Sequence, residues 1–157
     1  MTKASENEIV GVTLTELRQI TDARGSVLHM LRRDAPDFIS FGECYFSEIL
    51  PGTIKAWKRH RKQTQTLAVP VGRIRMVMFD DREGSASRRL LQILELGRPD
   101  GYLRLRIPPG VWYGFTCLSH TPALLVNCAD LLHDPEESDN CFFDEPMIPY
   151  QWKVQSS

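Results

Sequence analysis

The sequence lacks the features that mark several large classes of protein. No apolar run approaches the ~20 residues that a membrane-spanning helix needs. Residues 1–9 are polar and contain no apolar core of the kind found in a signal peptide. The net charge is −1, so no overall charge attracts the chain to nucleic acid or to a membrane surface. These absences predict a cytoplasmic protein that has neither a nucleic-acid partner nor a membrane partner.

Closely spaced cysteines are also missing. No CxxC pair occurs among the cysteines, which are Cys44, Cys117, Cys128 and Cys141. Structural zinc sites use closely spaced Cys or His pairs. The sequence therefore favours four reduced thiols in apolar surroundings over a metal site or disulfides.

Short strands are what the sequence does contain. Its 157 residues suit a single domain, which we expect to be ordered over about residues 9–152. Runs rich in Val, Ile, Leu, Phe and Tyr are separated by Gly, Pro and Asp turns, and they lie at 26–31, 42–49, 66–71, 74–79, 90–96, 103–107 and 123–128. Many short strands at near-regular spacing predict an all-β sandwich or barrel. Short peripheral helices are expected near residues 14–20 and 134–139.

The most informative stretch is residues 51–80, which read PGTIKAWKRHRKQTQTLAVPVGRIRMVMFD. Its spacing resembles the first motif of metal-binding cupins, G-x5-H-x-H-x3–4-E-x6-G. Here the two histidine positions hold Lys58 and His60, and the glutamate position holds Gln65. The second cupin motif, P-x-G-x2-H, ends on Tyr113 in place of histidine. One imidazole with an amide and a phenol holds a first-row metal poorly, so we predict a cupin-type fold without a metal or other cofactor.

Five short motifs in order resemble the dTDP-4-dehydrorhamnose 3,5-epimerase family over about residues 22–152. They are DARG at 22–25, GTIKAWK at 52–58, VG at 71–72 with DDR at 80–82, IPPGVWYGF at 107–115, and DEP at 144–146. The corresponding family motifs read D-x-R-G, G-V-L-R-G-L-H, G-x-V-x-D-V-x-V-D-x-R, I-P-x-G-x-x-H-G-F and D-P-x-L-x-I-x-W. The resemblance implies a jelly-roll barrel (a double-stranded β-helix), usually a homodimer. It also implies an isomerase of carbohydrate biosynthesis whose substrate is a nucleotide-linked keto-sugar.

The catalytic positions implied by the resemblance are altered. Lys58 stands where the family has its base histidine, while Asp144 matches the carboxylate that pairs with that histidine. Gln65 replaces the family's lysine beside the keto oxygen, and Tyr113 replaces the histidine of H-G-F. The family's acid tyrosine has no obvious equivalent.

The substrate-binding positions are better matched. Arg24 and Lys55 correspond to two arginines that grip the diphosphate, which suits a cationic side chain. Glu43 and Tyr45 stand where the family often has Gln and Asn for the substrate.

Several roles stay open at this point. Lys58 could be a base with a lowered pKa, a binding group for an anion, or half of an ion pair with Asp144. His60 lies two residues further along the same strand face and could be a general base or a polar lining residue. Tyr113 could donate a proton or form a pocket wall.

Two hypotheses from different classes follow. The first is an epimerase-like or ketoisomerase-like enzyme with an altered acid/base set drawn from Lys58, His60, Tyr113 and Asp144. The alternative is a catalytically inactive cupin that binds a sugar nucleotide.

Overall fold

Twelve strands and one short 3-10 helix form the structure, a computed structural model that describes residues 8–153. The elements are β1 (Thr13–Glu16), β2 (Gln19–Asp22), β3 (Gly25–Leu28), β4 (Glu43–Ile49), β5 (Ile54–His60), β6 (Gln65–Val71), β7 (Arg73–Asp80), β8 (Leu91–Gly97), β9 (Leu103–Ile107), β10 (Val111–Cys117), β11 (Ala123–Ala129), the 3-10 helix (Pro135–Glu137) and β12 (Ser138–Asn140).

Ten of the strands build two five-stranded antiparallel sheets. The first sheet has the order β1-β9-β6-β11-β4, and the second has the order β12-β5-β10-β7-β8. Strands β2 and β3 form a separate hairpin. The two sheets pack face to face as a cupin-type jelly roll, which confirms the predicted all-β fold.

The apolar core is divided by the second sheet. Ile74, Met76 and Met78 of β7 point between the two sheets into the main cluster. Val77 and Phe79 of the same strand point to the outer face, where tryptophans and the segment near residue 148 cover them. The run at residues 74–79 is thus confirmed as a strand, and both of its faces are buried because the C-terminal segment packs over the sheet.

The expectation of a short helix near residues 14–20 is wrong. Strand β1 pairs with β9 from Thr13 opposite Arg106 to Glu16 opposite Leu103, so this segment extends a sheet. The expectation near residues 134–139 is confirmed in part, because the Pro135–Glu137 turn is capped by Asp134 and then leads into β12. Within residues 8–153 no helix has the length and hydrophobicity to cross a membrane. Residues 1–7 and 154–157, which make up most of the chain beyond the predicted ordered range of 9–152, lie outside the described residues.

A buried carboxylate organises the loop between β7 and β8. Asp80 is fully buried and accepts hydrogen bonds from Arg82 Nε at 2.9 Å and from the hydroxyls of Ser85 and Ser87 at 2.6 Å each. Burial alone would raise the pKa of Asp80, but these hydrogen bonds outweigh it and hold the pKa well below its usual range. Ser87 also accepts from the backbone of Val10, which ties the N-terminal segment to this loop.

The loop's dependence on this charge is testable. We expect Asp80→Asn to lower the free energy of unfolding by about 2–4 kcal/mol at pH 7, because it removes the buried negative charge that pairs with the partly exposed Arg82 and accepts from two serine hydroxyls. Since the folded pKa is depressed, the stabilisation is present above about pH 4 and is lost as the pH falls below it. Urea denaturation at pH 7 and pH 3 measures both effects. Asp81→Asn is the matched control, because Asp81 makes a single 3.9 Å contact with Arg89. Equal unfolding energies for the two variants at pH 7 would contradict the prediction.

Candidate active site

A β-bulge in β5 directs two lysines to one face. Lys58 lies opposite Tyr113 of β10, whereas Lys55 lies opposite Phe115, so β5 has one residue more than β10 between these pairs. In a regular strand residues three apart point to opposite faces. The bulge instead lets both lysines line the same cavity. Gly114 lies opposite the bulge, where an added Cβ would come within 2.5 Å of the Ala56 Cβ.

The cavity lies between the two sheets and has a volume of about 260 Å³. Its lining consists of Tyr45, Ser47, Lys55, Lys58, Leu67, Tyr113, Phe115, Leu125 and Asn127. A concave, partly apolar wall with a few polar groups is typical of a small-molecule site.

The charge in the cavity is positive. Its lining includes the half-buried Lys58 and the more exposed Lys55, and none of the lining residues is acidic. Lys55 Nζ donates to Ser47 Oγ at 3.0 Å, which holds its side chain at the cavity. Two cations without a carboxylate among the lining residues favour an anionic ligand.

Behind this wall lies a buried histidine–carboxylate pair. His60 and Glu137 are 6% and 7% exposed, and His60 Nδ1 is hydrogen-bonded to Glu137 Oε1. The other carboxylate oxygen accepts from the backbone amides of Lys62 at 3.1 Å and Gln63 at 3.2 Å. The carboxylate of Glu137 is thus hydrogen-bonded through both of its oxygens.

The hydrogen bonds fix the protonation states of this pair. Burial would raise the pKa of Glu137, but the bonds from His60 and the two amides outweigh it and lower that pKa. Burial lowers the pKa of His60, and Glu137 offsets this only in part. The imidazole is therefore neutral near pH 7, with its proton on Nδ1 facing the carboxylate, and Nε2 is left as an acceptor.

Tyr113 connects this pair to the cavity. Its hydroxyl lies 3.2 Å from His60 Nε2 and donates to that nitrogen. The two rings are nearly parallel, at an interplanar angle of 13°. Burial strongly raises the pKa of Tyr113, so the phenol stays protonated. A continuous hydrogen-bonded chain thus runs from Glu137 through His60 to a hydroxyl that lines the cavity.

The structure brings together six of the nine residues singled out in the sequence. Tyr45, Lys55, Lys58 and Tyr113 line the cavity. His60 lies directly behind Tyr113, and the buried Gln65 lies behind Asn127, to which it is hydrogen-bonded.

The other three residues lie elsewhere. Arg24 is almost fully exposed at the tip of the β2–β3 hairpin and pairs with Asp22. Asp144 lines a separate surface concavity formed by residues 143–152, and no ion pair within residues 8–153 joins it to Lys58. Glu43, at the start of β4 opposite Ala129, is not among the cavity residues. In this structure the carboxylate that pairs with an active-site base candidate belongs to Glu137, because the 3-10 turn directs it towards β5.

Sequence reasoning missed Glu137 and Asn127. Glu136 and Glu137 are adjacent and alike in sequence, yet Glu136 is exposed and Glu137 is buried. The available signal was the Asp-Pro pair at residues 134 and 135, which predicts a capped turn just before the acidic residues. That signal places a turn but not its position beside His60.

The donor set does not resemble a metal site in the part of the chain that the structure describes. No group of three His, Cys, Asp or Glu side chains there is close enough to hold an ion. The absence of a metal and of any other cofactor stays a prediction.

Comparison with known proteins gives consistent results. A family model described as dTDP-4-dehydrorhamnose 3,5-epimerase matches residues 6–157. The crystal structure of a dTDP sugar isomerase from Desulfovibrio desulfuricans is 53% identical, with a TM-score of 0.90 over 92% of each chain. A probable low-salt glycan biosynthesis epimerase of Haloferax volcanii is 33% identical over 141 residues, 88% of this chain and 86% of that protein.

A more distant structure shares the fold. The dTDP-4-dehydrorhamnose 3,5-epimerase of Bacillus anthracis, crystallised with TDP and PPi, is 20% identical. Its TM-score is 0.82 over 95% of this chain and 91% of that chain.

The protonation of the buried pair can be measured directly. We expect the His60 imidazole to be neutral at pH 7 with its proton on Nδ1, and we expect Glu137→Gln to lower the His60 pKa further. The physical reason is that the variant removes the negative charge that favours the imidazolium. Imidazole ¹H–¹⁵N spectra recorded across a pH titration report both the tautomer and the pKa. Glu136→Gln, at the exposed neighbouring position, should leave the titration unchanged. A higher His60 pKa in Glu137→Gln would refute the assignment.

Proposed function

The chain belongs to the dTDP-4-dehydrorhamnose 3,5-epimerase family, and we propose that it epimerises or isomerises a nucleotide-linked keto-sugar in glycan biosynthesis. The observation that carries the proposal is the buried Glu137–His60–Tyr113 chain, which ends in a cationic cavity. A base that is protected from water and linked to a ligand cavity suits proton transfer at carbon.

The proposed first step removes a proton from the carbon next to the keto group. The Tyr113 oxygen accepts that proton while the Tyr113 hydroxyl proton passes to His60 Nε2. The products are an enolate, a neutral Tyr113 and an imidazolium that is paired with the Glu137 carboxylate. The hydrogen bonds to Glu137 support this step, because they keep the carboxylate ionised next to the new positive charge.

The two lysines supply positive charge for the ligand. Lys58 is opposite Tyr113 in the ladder, so we assign it to the negative charge that develops on the keto oxygen. Lys55 is more exposed, at the mouth of the cavity, and we assign it to a phosphate group. Lys58 thus acts as the electrophile, and His60 takes the role of the base.

The rival hypothesis, a catalytically inactive binding cupin, does not account for the buried pair. Binding needs the cations and the cavity wall, whereas a neutral imidazole that accepts from a cavity phenol provides a proton acceptor, which binding alone does not use. The enzyme hypothesis explains why the chain keeps the buried pair.

We further propose that the protein is a cytoplasmic homodimer. Strand β4 is at the end of its sheet, and it exposes Phe46, which is 67% accessible. An exposed apolar edge strand is commonly covered by a second copy of the chain. Light scattering coupled to size exclusion should give twice the chain mass of 18.0 kDa. A mass of one chain at micromolar concentration would contradict the dimer.

The catalytic proposal is tested by exchange with solvent. The protein is incubated in D2O with dTDP-4-keto-6-deoxyglucose and related keto-sugar nucleotides, and deuterium next to the keto group is followed by NMR. We expect the wild type to incorporate deuterium and to form a stereoisomer or a keto-isomer. We expect His60→Asn to lower kcat by about 10²–10⁴-fold, because the proton then has no acceptor behind Tyr113.

The matched control is His120→Asn, which alters an exposed histidine in the bend between β10 and β11 that is not among the cavity-lining residues. It should behave like the wild type. Binding of the sugar nucleotides by the wild type without any exchange would support the inactive-cupin hypothesis and would rule out the proposed function.

A further inference from the structure

A second buried network ends on the other phenol of the cavity. Asn127 is 1% exposed, and its Oδ1 accepts the backbone N–H of Thr66 at 3.1 Å. Its Nδ2 donates to the Tyr45 hydroxyl at 2.8 Å and to Gln65 Oε1. The Tyr45 hydroxyl is therefore an acceptor in this bond.

The orientation of every amide in this network is determined at both ends. At one end a backbone N–H, which can only donate, fixes Asn127 Oδ1 as the acceptor. At the other end Gln63 Nε2 donates at 2.8 Å to the carbonyl of Leu131, which can only accept. Between them Gln65 Nε2 donates to Gln63 Oε1 at 2.7 Å. No amide can be reversed without losing a hydrogen bond.

The hydroxyls of the two cavity phenols consequently have opposite hydrogen-bonding roles. The hydroxyl of Tyr113 donates its proton in the hydrogen bond to His60, so that proton is not available to a ligand. The hydroxyl of Tyr45 makes one hydrogen bond within residues 8–153, the one it accepts from Asn127, so its own proton is available to a ligand. Burial raises the pKa of Tyr45 and the bond from Asn127 only partly offsets this, which keeps the phenol protonated.

The two phenols also approach the cavity from different sheets. Tyr45 is on β4 of the first sheet, and Tyr113 is on β10 of the second. A negative charge on Tyr45 would raise the pKa of Tyr113, so the two groups are within electrostatic range of each other. Inversion at a carbon requires a proton to leave from one face and another to arrive at the opposite face. Phenols on facing walls meet this requirement.

We propose that Tyr45 is the catalytic acid that returns a proton to the enolate carbon, on the face opposite Tyr113; this assignment rests on the proposed function. The O–H bond of Tyr45 breaks as the new C–H bond forms, and the enolate electron pair makes that bond. The product is a ketone and a Tyr45 phenolate, which the N–H of Asn127 stabilises. Tyr45 is 38% exposed, so water can reprotonate it, and His60 loses its extra proton to solvent in the same turnover. Asn127 is a positioning residue, since it acts only through the Tyr45 hydroxyl.

The test compares inversion with deuterium incorporation in D2O for Tyr45→Phe. We expect inversion to fall at least 100-fold, because no acid remains on that face. Deuterium incorporation into recovered substrate should stay within about tenfold of the wild type, because Tyr113 and His60 can still remove a proton and return one to the same face. Tyr102→Phe is the matched control: it removes another phenol, one that donates to the carbonyl of His29 outside the cavity.

Asn127→Asp provides a second, independent variant. A carboxylate in this place would accept a hydrogen bond from the Tyr45 hydroxyl, which turns the proton away from the ligand, so the variant should also lose inversion while keeping incorporation. A purely structural defect would lower both rates together.

Three results would overturn the assignment. Inversion by Tyr45→Phe above one tenth of the wild-type rate would show that Tyr45 is not the acid. Parallel loss of inversion and incorporation in folded Tyr45→Phe would place Tyr45 in binding or deprotonation. Absence of both inversion and deuterium incorporation in the wild type would reject the proposed function, and this assignment with it. That outcome is seen in the wild type alone, so it is distinguished from a failure of the Tyr45 assignment.

Discussion

A carboxylate buried at the end of a sheet is tolerated only if both of its oxygens are hydrogen-bonded, and Glu137 meets this condition. Its side chain receives the imidazole of His60 and two successive backbone amides that follow β5. Its backbone carbonyl accepts the N–H of Arg61 at 2.8 Å. These bonds join β12 to the end of β5 and set the orientation of the imidazole. The direction of the hydrogen bond between Tyr113 and His60 depends on that orientation, and so does the role of the Tyr113 hydroxyl at the cavity wall.

The fold could largely be predicted from sequence because it depends on local signals. Apolar runs between Gly, Pro and Asp turns indicated the strands, and the strand at residues 103–107 was predicted with its observed bounds. The segment near residues 14–20 was mispredicted, since its pairing with β9 is a contact between residues some 90 positions apart that local pattern does not reveal. Likewise the two-sided burial of β7 depends on a C-terminal segment whose position is set by tertiary packing.

The site was predictable only in part for the same reason. The two-residue spacing of Lys58 and His60 places both on one strand face, which is a local property. The bulge that adds Lys55 to that face is a property of the pairing with β10, and it needs Gly114 opposite Ala56. Glu137 was not predictable, because its place beside His60 is determined by the pairing of β12 with β5. The direction of the hydrogen bonds in the Asn127–Gln65–Gln63 network cannot be inferred before the backbone groups that bond to its two ends are known.

Lys58 illustrates how a change at one position need not remove the chemistry of a site. A lysine in the family's base position was an argument for inactivity as long as that position alone could hold the base. In the fold, however, the same face of β5 offers a second inward position at His60, and the turn before β12 supplies a carboxylate to it. The positive charge of Lys58 then opposes protonation of the imidazole, and burial acts in the same direction, so the two residues suit different tasks. A neutral base and a neighbouring cation can act together on one substrate, whereas two histidines with equal pKa values would gain and lose their charges together.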